Sequence, residues 1–442
     1  MAFLYHFLIR GFGALIALAS LWSPRARRWR EGRRGLSEAM RKRADGAPRV
    51  WFHCASLGEF EQGRPVMEKF REQFPGHKVL LTFFSPSGYE VRRNFTGADD
   101  VFYLPLDTPG KAGEFLDLWQ PRLAVFIKYE YWFNFIDALC RRDIPILMVS
   151  AIFRPGQHFF SWYGTWFRRQ LEKITWFYVQ DERSMKLLQG IGIHKASLSG
   201  DTRFDRVYSI CSNPRSFNEL KGFVDEEGLM LVAGSTWPAD EAILVQVFNN
   251  FGPELRMIIA PHEISPQGVE HLLQAFGSAA VLMSDLAGRH PGSAAGTVTG
   301  GTAGGSAPGT NEPATVLNRK RVLIVDGIGY LSHLYQFATL AYVGGGFGKG
   351  IHNILEAATF GSPVFFGPRY GKFAEAVELV QRGGAFPVRD AEEMLQGLQK
   401  LAADNRLLKQ ASDTCRGYVE EKRGASEMIV QAIAGHMKAS AG

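Results

Sequence analysis

Two carboxylates stand where a chain could use them for proton transfer. Glu59 lies in Ser56-Leu57-Gly58-Glu59, just after the apolar run Arg49–Cys54, and Glu130 lies in Lys128-Tyr129-Glu130-Tyr131-Trp132, just after Leu123–Ile127. A carboxylate at the carboxyl end of a strand reaches the place where substrates bind, and acts as a general base when its pKa suits the proton it takes. Each spacing also has a structural reading. Ser56 and Glu59 fit the N-cap and N3 positions of a capping box, and Lys128 with Glu130 fits a surface ion pair. Arg203, in Gly200-Asp201-Thr202-Arg203-Phe204-Asp205, offers a planar fork for a phosphate or carboxylate. An ion pair with Asp201 or Asp205 is the alternative there.

A second group of residues points to nucleotide binding. The run Gly344-Gly345-Gly346-Phe347-Gly348-Lys349-Gly350-Ile351-His352-Asn353-Ile354-Leu355-Glu356 follows an apolar stretch and reads as strand, glycine loop, helix. Glycines let a backbone approach a ligand closely, and a helix start presents unpaired N–H groups to phosphate. Asn353 and Glu356, three residues apart, share one face of the first turn, where a carboxylate can accept both hydrogens of a ribose diol. The run is neither a P-loop nor Gly-x-Gly-x-x-Gly. Three more turns follow apolar runs in the same half: Gly234-Ser235-Thr236, Pro261-His262-Glu263, and Asp326-Gly327-Ile328-Gly329-Tyr330. No Asp-x-Asp motif or metal-type His/Cys/Asp cluster stands out, so no metal site is assigned.

These residues need a scaffold, and the hydrophobic pattern supplies one. Short apolar runs at 49–54, 78–84, 123–127, 145–149 and 177–179 alternate with helix-length segments such as 61–74. A second series runs through 229–233, 257–260, 322–325, 341–343 and 364–366, with helices at 240–248 and 354–360. Repeated β-α-β units imply parallel sheets covered on both faces. The reading is α/β: two doubly wound Rossmann-like halves, residues 48–210 and 222–430, with ligands in a crevice at the strand carboxyl ends between them. Residues 291–313, rich in Gly, Ser, Thr and Ala, read as a flexible insert in the second half.

The chain's 442 residues suit two or three domains, and 46% hydrophobic content excludes a wholly disordered or fibrous protein. Four scattered cysteines form no disulfide framework or zinc ribbon, which fits a reducing compartment. The net charge is +6, yet residues 24–43 alone hold nine basic side chains against Glu31 and Glu38. The remainder is therefore close to neutral, unlike a nucleic-acid binder with a basic face. Residues 1–23 are mostly apolar, broken by His6 and Arg10, and read as a membrane anchor, with 24–47 as a basic juxtamembrane segment. The arginines follow the apolar stretch, which argues against a signal peptide and for a cytoplasmic body.

Taken in order, SLGE, LTFFSPSGYE, KYEYW, GDTRFD, AGST, APHEI, DGIGYLSHLY and GGGFGKGIHNILEAA make the chain resemble the 3-deoxy-D-manno-octulosonic acid (Kdo) transferases of lipopolysaccharide synthesis, over roughly residues 1–430. The resemblance implies a GT-B glycosyltransferase whose two domains face a central cleft, the first taking the acceptor and the second the CMP-sugar. It implies an inverting, metal-independent transfer of Kdo from CMP-Kdo to the 6′-hydroxyl of a tetraacylated lipid A precursor, at the cytoplasmic face of the inner membrane. No cofactor and no nucleic-acid partner are expected.

By the same resemblance, Glu59 is the proton acceptor, and Glu130 and Arg203 stabilise the transition state, with arginine replacing a lysine found in many relatives. The CMP contacts map onto Gly234, Ser235, Thr236, Pro261, His262, Ile328, Gly329, Tyr330, Gly348, Lys349, Gly350, Asn353, Ile354, Leu355 and Glu356. Two blocks depart from the family pattern: Pro261-His262-Glu263 replaces Pro-Arg-His, and Ile328-Gly329-Tyr330-Leu331 replaces Met-Gly-Glu-Leu. A GT-B enzyme using a UDP-sugar and a non-catalytic, membrane-tethered sugar-nucleotide binding protein are the alternatives.

Overall fold

The computed structural model describes residues 1–224, 228–287 and 320–439. The flexible insert expected at 291–313 lies outside the described residues. The chain divides into two compact units, one of Met1–Arg206 with the chain from Lys422 onward, the other of Val207–Glu421.

The first unit is built on β1 (Arg49–Cys54), β2 (Lys78–Phe83), β3 (Asp100–Tyr103), β4 (Leu123–Ile127), β5 (Ile146–Ala151), β6 (Trp176–Val179) and β7 (Ala196–Leu198). They form one parallel sheet in the order β3-β2-β1-β4-β5-β6-β7. The order reverses at β1, which pairs with β2 on one side and β4 on the other, so the topological switch point lies between β1 and β4. That is where doubly wound sheets open a crevice beyond the strand carboxyl ends. Glu59 follows β1 and Glu130 follows β4. Two apolar layers cover the sheet, one around Trp51, Phe115, Phe126 and Phe135, the other around Phe52, Phe60 and Phe70.

The second unit repeats the plan with β8 (Leu229–Thr236), β9 (Leu255–Pro261), β10 (Ala280–Leu282), β11 (Val322–Ile324), β12 (Leu340–Val343), β13 (Val364–Phe366) and β14 (Ala385–Pro387). The order is β10-β11-β9-β8-β12-β13-β14, again all parallel. Here the switch point falls between β8 and β12. The turn Gly234-Ser235-Thr236 closes β8 and the glycine loop follows β12.

Among the described residues, three of the five non-glycine residues with positive φ lie at these carboxyl ends; the other two, Gln120 and Asp143, lie in the connections ahead of β4 and β5. Lys128 (φ 68°) follows β4, while Ser150 (φ 51°) and Ser235 (φ 53°) sit where the β5–β6 and β8–β9 registers shift. A non-glycine residue in the left-handed region costs on the order of 1–3 kcal/mol and persists where surrounding packing holds it.

Several boundaries differ from the sequence reading: the first unit gives way to the second after Arg206 and not at 210, the helices read at 61–74 and 240–248 are Leu57–Gln73 and Pro238–Phe251, and three further differences bear on the packing. The chain after Lys422 belongs to the first unit: in the helix Ala425–Ala439, Ile429, Val430 and Ile433 are buried against the layer around Phe60. Asp205 fixes its start by accepting the N–H groups of Gly424 and Ser426 at 2.6 and 2.7 Å. The second boundary is the helix at 354–360, which shortens to Leu355–Thr359. The third is the basic segment, which forms two helices, Pro24–Glu31 and Leu36–Arg43. Between them the Arg33 guanidinium lies over Trp29 and donates to the Phe84 and Leu104 carbonyls at 2.7 and 3.0 Å.

The N-terminal helix Ala2–Ala19 is long and apolar enough to cross a membrane by length and composition. Its inward side is tied down. The Tyr5 hydroxyl donates to Asp107 Oδ2 at 2.5 Å, its ring meets Phe133, and Phe12 stacks on Phe84. Phe3, Phe7 and Leu15 point away from the body, 66–84% exposed.

Candidate functional site

In the first unit, the β1 chain turns at Ser56 into the helix Leu57–Gln73, and Glu59 sits in its first turn. The Ser56 N–H and hydroxyl both donate to Glu59 Oε2, at 2.9 and 3.2 Å, so the capping reading and the site reading are both true of this residue. Oε1 takes no part in the capping box. Burial, followed by the charge of Glu130, pushes the Glu59 carboxyl up to about 7. A carboxyl with that pKa exchanges protons near neutrality, as a general base must.

Glu130 is buried, and its partners differ from the surface pair with Lys128 that the spacing offered. Its Oε2 accepts the Trp132 indole N–H at 2.6 Å and faces His53 Nε2 at 3.3 Å. Lys128 is instead drawn below the usual lysine range, first by burial and then by the Arg203 charge, with Asp201 and Glu59 opposing. Arg203 bonds to Asp201 through its backbone N–H (2.9 Å) and through Nε (2.7 Å), the ion-pair alternative. The Thr202 hydroxyl donates to the Gln62 carbonyl at 2.6 Å, which ties this motif to the helix bearing Glu59. Glu59, Glu130, Lys128 and Arg203 therefore share one electrostatic neighbourhood, two acids facing two cations.

In the second unit, Asp240 organises the predicted nucleotide loop. It is almost fully buried, accepts the Tyr342 hydroxyl on Oδ1 (2.7 Å), and accepts the N–H groups of Trp237 and Gly345 on Oδ2 (2.9 Å each). The loop then closes on β8: the Gly344 N–H donates to the Gly234 carbonyl at 2.9 Å. Side chains have no room at this junction. A Cβ on Gly344 would come within 2.3 Å of the Ser235 carbonyl oxygen, and one on Gly346 within 2.6 Å of Gly367 backbone.

Gly234 adjoins the Tyr335 hydroxyl and Leu331, and the Glu356 charge adds to the burial that holds the Tyr335 phenol protonated. The residue expectations thus gather Gly234, the turn leading to Leu331, and Glu356. Asn353 does more than share a face with Glu356. Its amide donates to Glu356 Oε1 at 3.1 Å, and its own oxygen takes the Leu355 N–H at 3.2 Å. One N–H group expected to face a phosphate is therefore already capped, and a five-residue helix adds little dipole.

Pro261 ends β9, and the His262 N–H donates to the Thr236 carbonyl at 2.9 Å. The His262 ring lies between Trp237 and His352, with centroids at 4.8 and 4.2 Å, in a three-ring stack. Trp237 Nε1 donates to His352 Nε2 at 3.0 Å, and burial together with His262 lowers the His352 pKa. Tyr330 packs on Phe217 and under the Arg215 guanidinium, while Ile328, Gly348 and Lys349 are exposed. Gly329 (φ 88°) and Gly350 (φ 141°) hold conformations that side chains rarely adopt.

Sequence reasoning did not single out His53, Thr82, Trp132, Asp240, Trp237 or His352. One signal was present. His53 and Thr82 are polar residues inside otherwise continuous apolar strand runs, where an interior parallel strand tolerates a polar group only if it is paired.

Residues 27–206 match the family model described as 3-deoxy-D-manno-octulosonic-acid transferase (kdotransferase). The 3-deoxy-D-manno-octulosonic acid transferase of Bordetella pertussis is 26% identical over 454 residues, covering 97% of this chain and 98% of its own. That of Rickettsia felis is 25% identical over 393 residues, covering 87% and 78%. Among solved structures, a UDP-GlcNAc 2-epimerase from Neisseria meningitidis bound to UDP-GlcNAc superposes with a TM-score of 0.58 at 13% identity, over 88% of this chain and all of that one. It shows the shared two-unit GT-B-like fold.

Proposed function

We propose, for a chain whose homologues mark it as a glycosyltransferase of the Kdo transferase kind, that it moves Kdo from CMP-Kdo to the 6′-hydroxyl of a tetraacylated lipid A precursor with inversion. Glu59 removes the acceptor proton as the glycosidic bond forms at the anomeric carbon, and cytidylate leaves from the opposite face. The observation that carries this is the Glu59 carboxyl raised to about 7 at the β1/β4 switch point. Lys128 and Arg203 offset charge on the carboxylated sugar, and the Asp240-pinned loop receives the nucleotide. Metal-independence belongs to the same reading, and turnover that persists in EDTA tests it.

The membrane belongs to the proposal too. Because Tyr5 and Phe12 hold the N-terminal helix against the body, its outward Phe3, Phe7 and Leu15 suit burial in the headgroup layer with the helix in plane. A cavity of about 730 Å³ beside it, lined by Arg27, Arg30, Arg33 and Arg34 with Glu31 as its one acidic side chain, keeps a net positive charge that suits anionic headgroups on the cytoplasmic side of the inner membrane.

Incubating the purified chain with CMP-Kdo and the lipid precursor, then weighing the product, tests the transfer. Parallel incubations with UDP-sugars test the rival donor class. Product formed only from a UDP-sugar replaces this reading with that rival. No product from either donor leaves the non-catalytic binding protein.

A further inference from the structure

We infer that His53 is a positioning residue for Glu130, acting through a relay that crosses the sheet from Trp51 to Trp132. His53 lies inside β1 with no exposed surface, opposite Thr82 in the β1–β2 register and Phe126 in the β1–β4 register. Trp51 Nε1 can only donate, and it donates to Thr82 Oγ1 at 2.8 Å. In this relay the Thr82 hydroxyl donates its proton to His53 Nδ1, also at 2.8 Å. An Nδ1 that accepts leaves the ring proton on Nε2, which faces Glu130 Oε2 at 3.3 Å.

The opposite tautomer would set the Nε2 lone pair against a carboxylate oxygen inside the fold. The Trp132 indole N–H donates to that oxygen at 2.6 Å and is also placed to donate to His53 Nε2 at 2.9 Å; the inferred tautomer keeps the shorter bond, to the carboxylate, and gives up the longer one. In the inferred arrangement every donor has an acceptor, and Glu130 Oε2 is held by two N–H groups, from Trp132 and from His53.

The consequence reaches Glu59. Glu130 is the first charged group, after burial itself, that raises the Glu59 carboxyl. Its orientation therefore decides how strongly the two carboxylates feel each other. His53 acts through Glu130, while Glu59 meets the substrate. The catalytic half of this inference rests on the transfer reading above; the tautomer does not.

Two measurements test it. In ¹⁵N-resolved NMR of the full chain labelled at histidine, the His53 Nε2 resonance is expected at the position of a protonated nitrogen; an unprotonated Nε2 overturns the relay whether or not the chain transfers Kdo. In kinetics with CMP-Kdo and the lipid precursor, His53→Leu is expected to lower kcat by about 10–100-fold, by analogy with the loss of outer-shell partners that orient metal-ligating side chains. Its donor KM stays unchanged, and the acid limb of the pH profile moves. His53→Gln, which restores an N–H near the Nε2 position, recovers most of the loss. Wild-type kcat and pH profile in a folded His53→Leu chain overturn the inference. Should that variant fail to fold, Thr82→Val removes the hydroxyl that sets the tautomer and is read in the same two ways.

Discussion

The Glu130 carboxylate and the Glu59 carboxyl are coupled by charge across the β1/β4 switch point, and the coupling together with burial holds Glu59 at about 7. A base must be ionised to work, so turnover is expected to rise with pH through about 7 and flatten above it. In Glu130→Gln one of the two raising causes is gone. The midpoint of the acid limb then moves to lower pH, even as kcat falls. A pH series of kcat for both chains checks this, and an unmoved midpoint would remove the coupling from the account.

Glu59→Gln separates chemistry from stability. Losing a general base typically costs about 10²–10⁴-fold in rate, while glutamine still fills the N3 position of a capping box. The folded pKa of about 7 lies above the ordinary glutamate value of 4.5, so the folded state holds this proton more tightly than the unfolded chain. The stabilisation that follows is present below about 4.5 and is lost as pH rises through about 7. The variant should therefore melt higher than the parent at pH 8, with the difference closing toward pH 5. Thermal unfolding at the two pH values reads it.

Asp240→Ala should damage the second unit more than an average substitution. Three donors, from Trp237, Tyr342 and Gly345, lose their acceptor in a buried place. Each buried group left unpaired costs about 1–3 kcal/mol. A large fall in the urea midpoint is expected, and CMP binding by calorimetry should weaken because the glycine loop has lost its tether.

The N-terminal helix carries a fourth expectation. Replacing Phe3, Phe7 and Leu15 by Asp should release the protein from anionic vesicles while leaving soluble-phase stability near that of the parent, since these side chains are exposed. Salt should weaken binding of the parent, because the basic cavity contributes electrostatically. Vesicle sedimentation at two ionic strengths measures both effects.

What could be read from the sequence divides along the two sheets. Among the described residues all ten interior strands were legible, because a parallel strand buried on both faces reads as a nearly continuous apolar run. The four unread strands, β3, β7, β10 and β14, are the four sheet edges, short and only partly covered, where that requirement lapses. The same pattern located Glu59, Glu130 and the glycine loop at strand ends, since a strand's end is visible wherever its apolar run stops.

Partners were not visible in this way. That His53 faces Glu130, that Lys128 answers to Arg203, that Asp240 reaches Gly345 across 105 positions, and that the last helix returns to the first unit are matters of crossover connections. Local spacing determines which residues stand at the carboxyl edge of a sheet. Only the order in which strands lie side by side decides which of them touch, because that order is set by long-range packing of both faces at once.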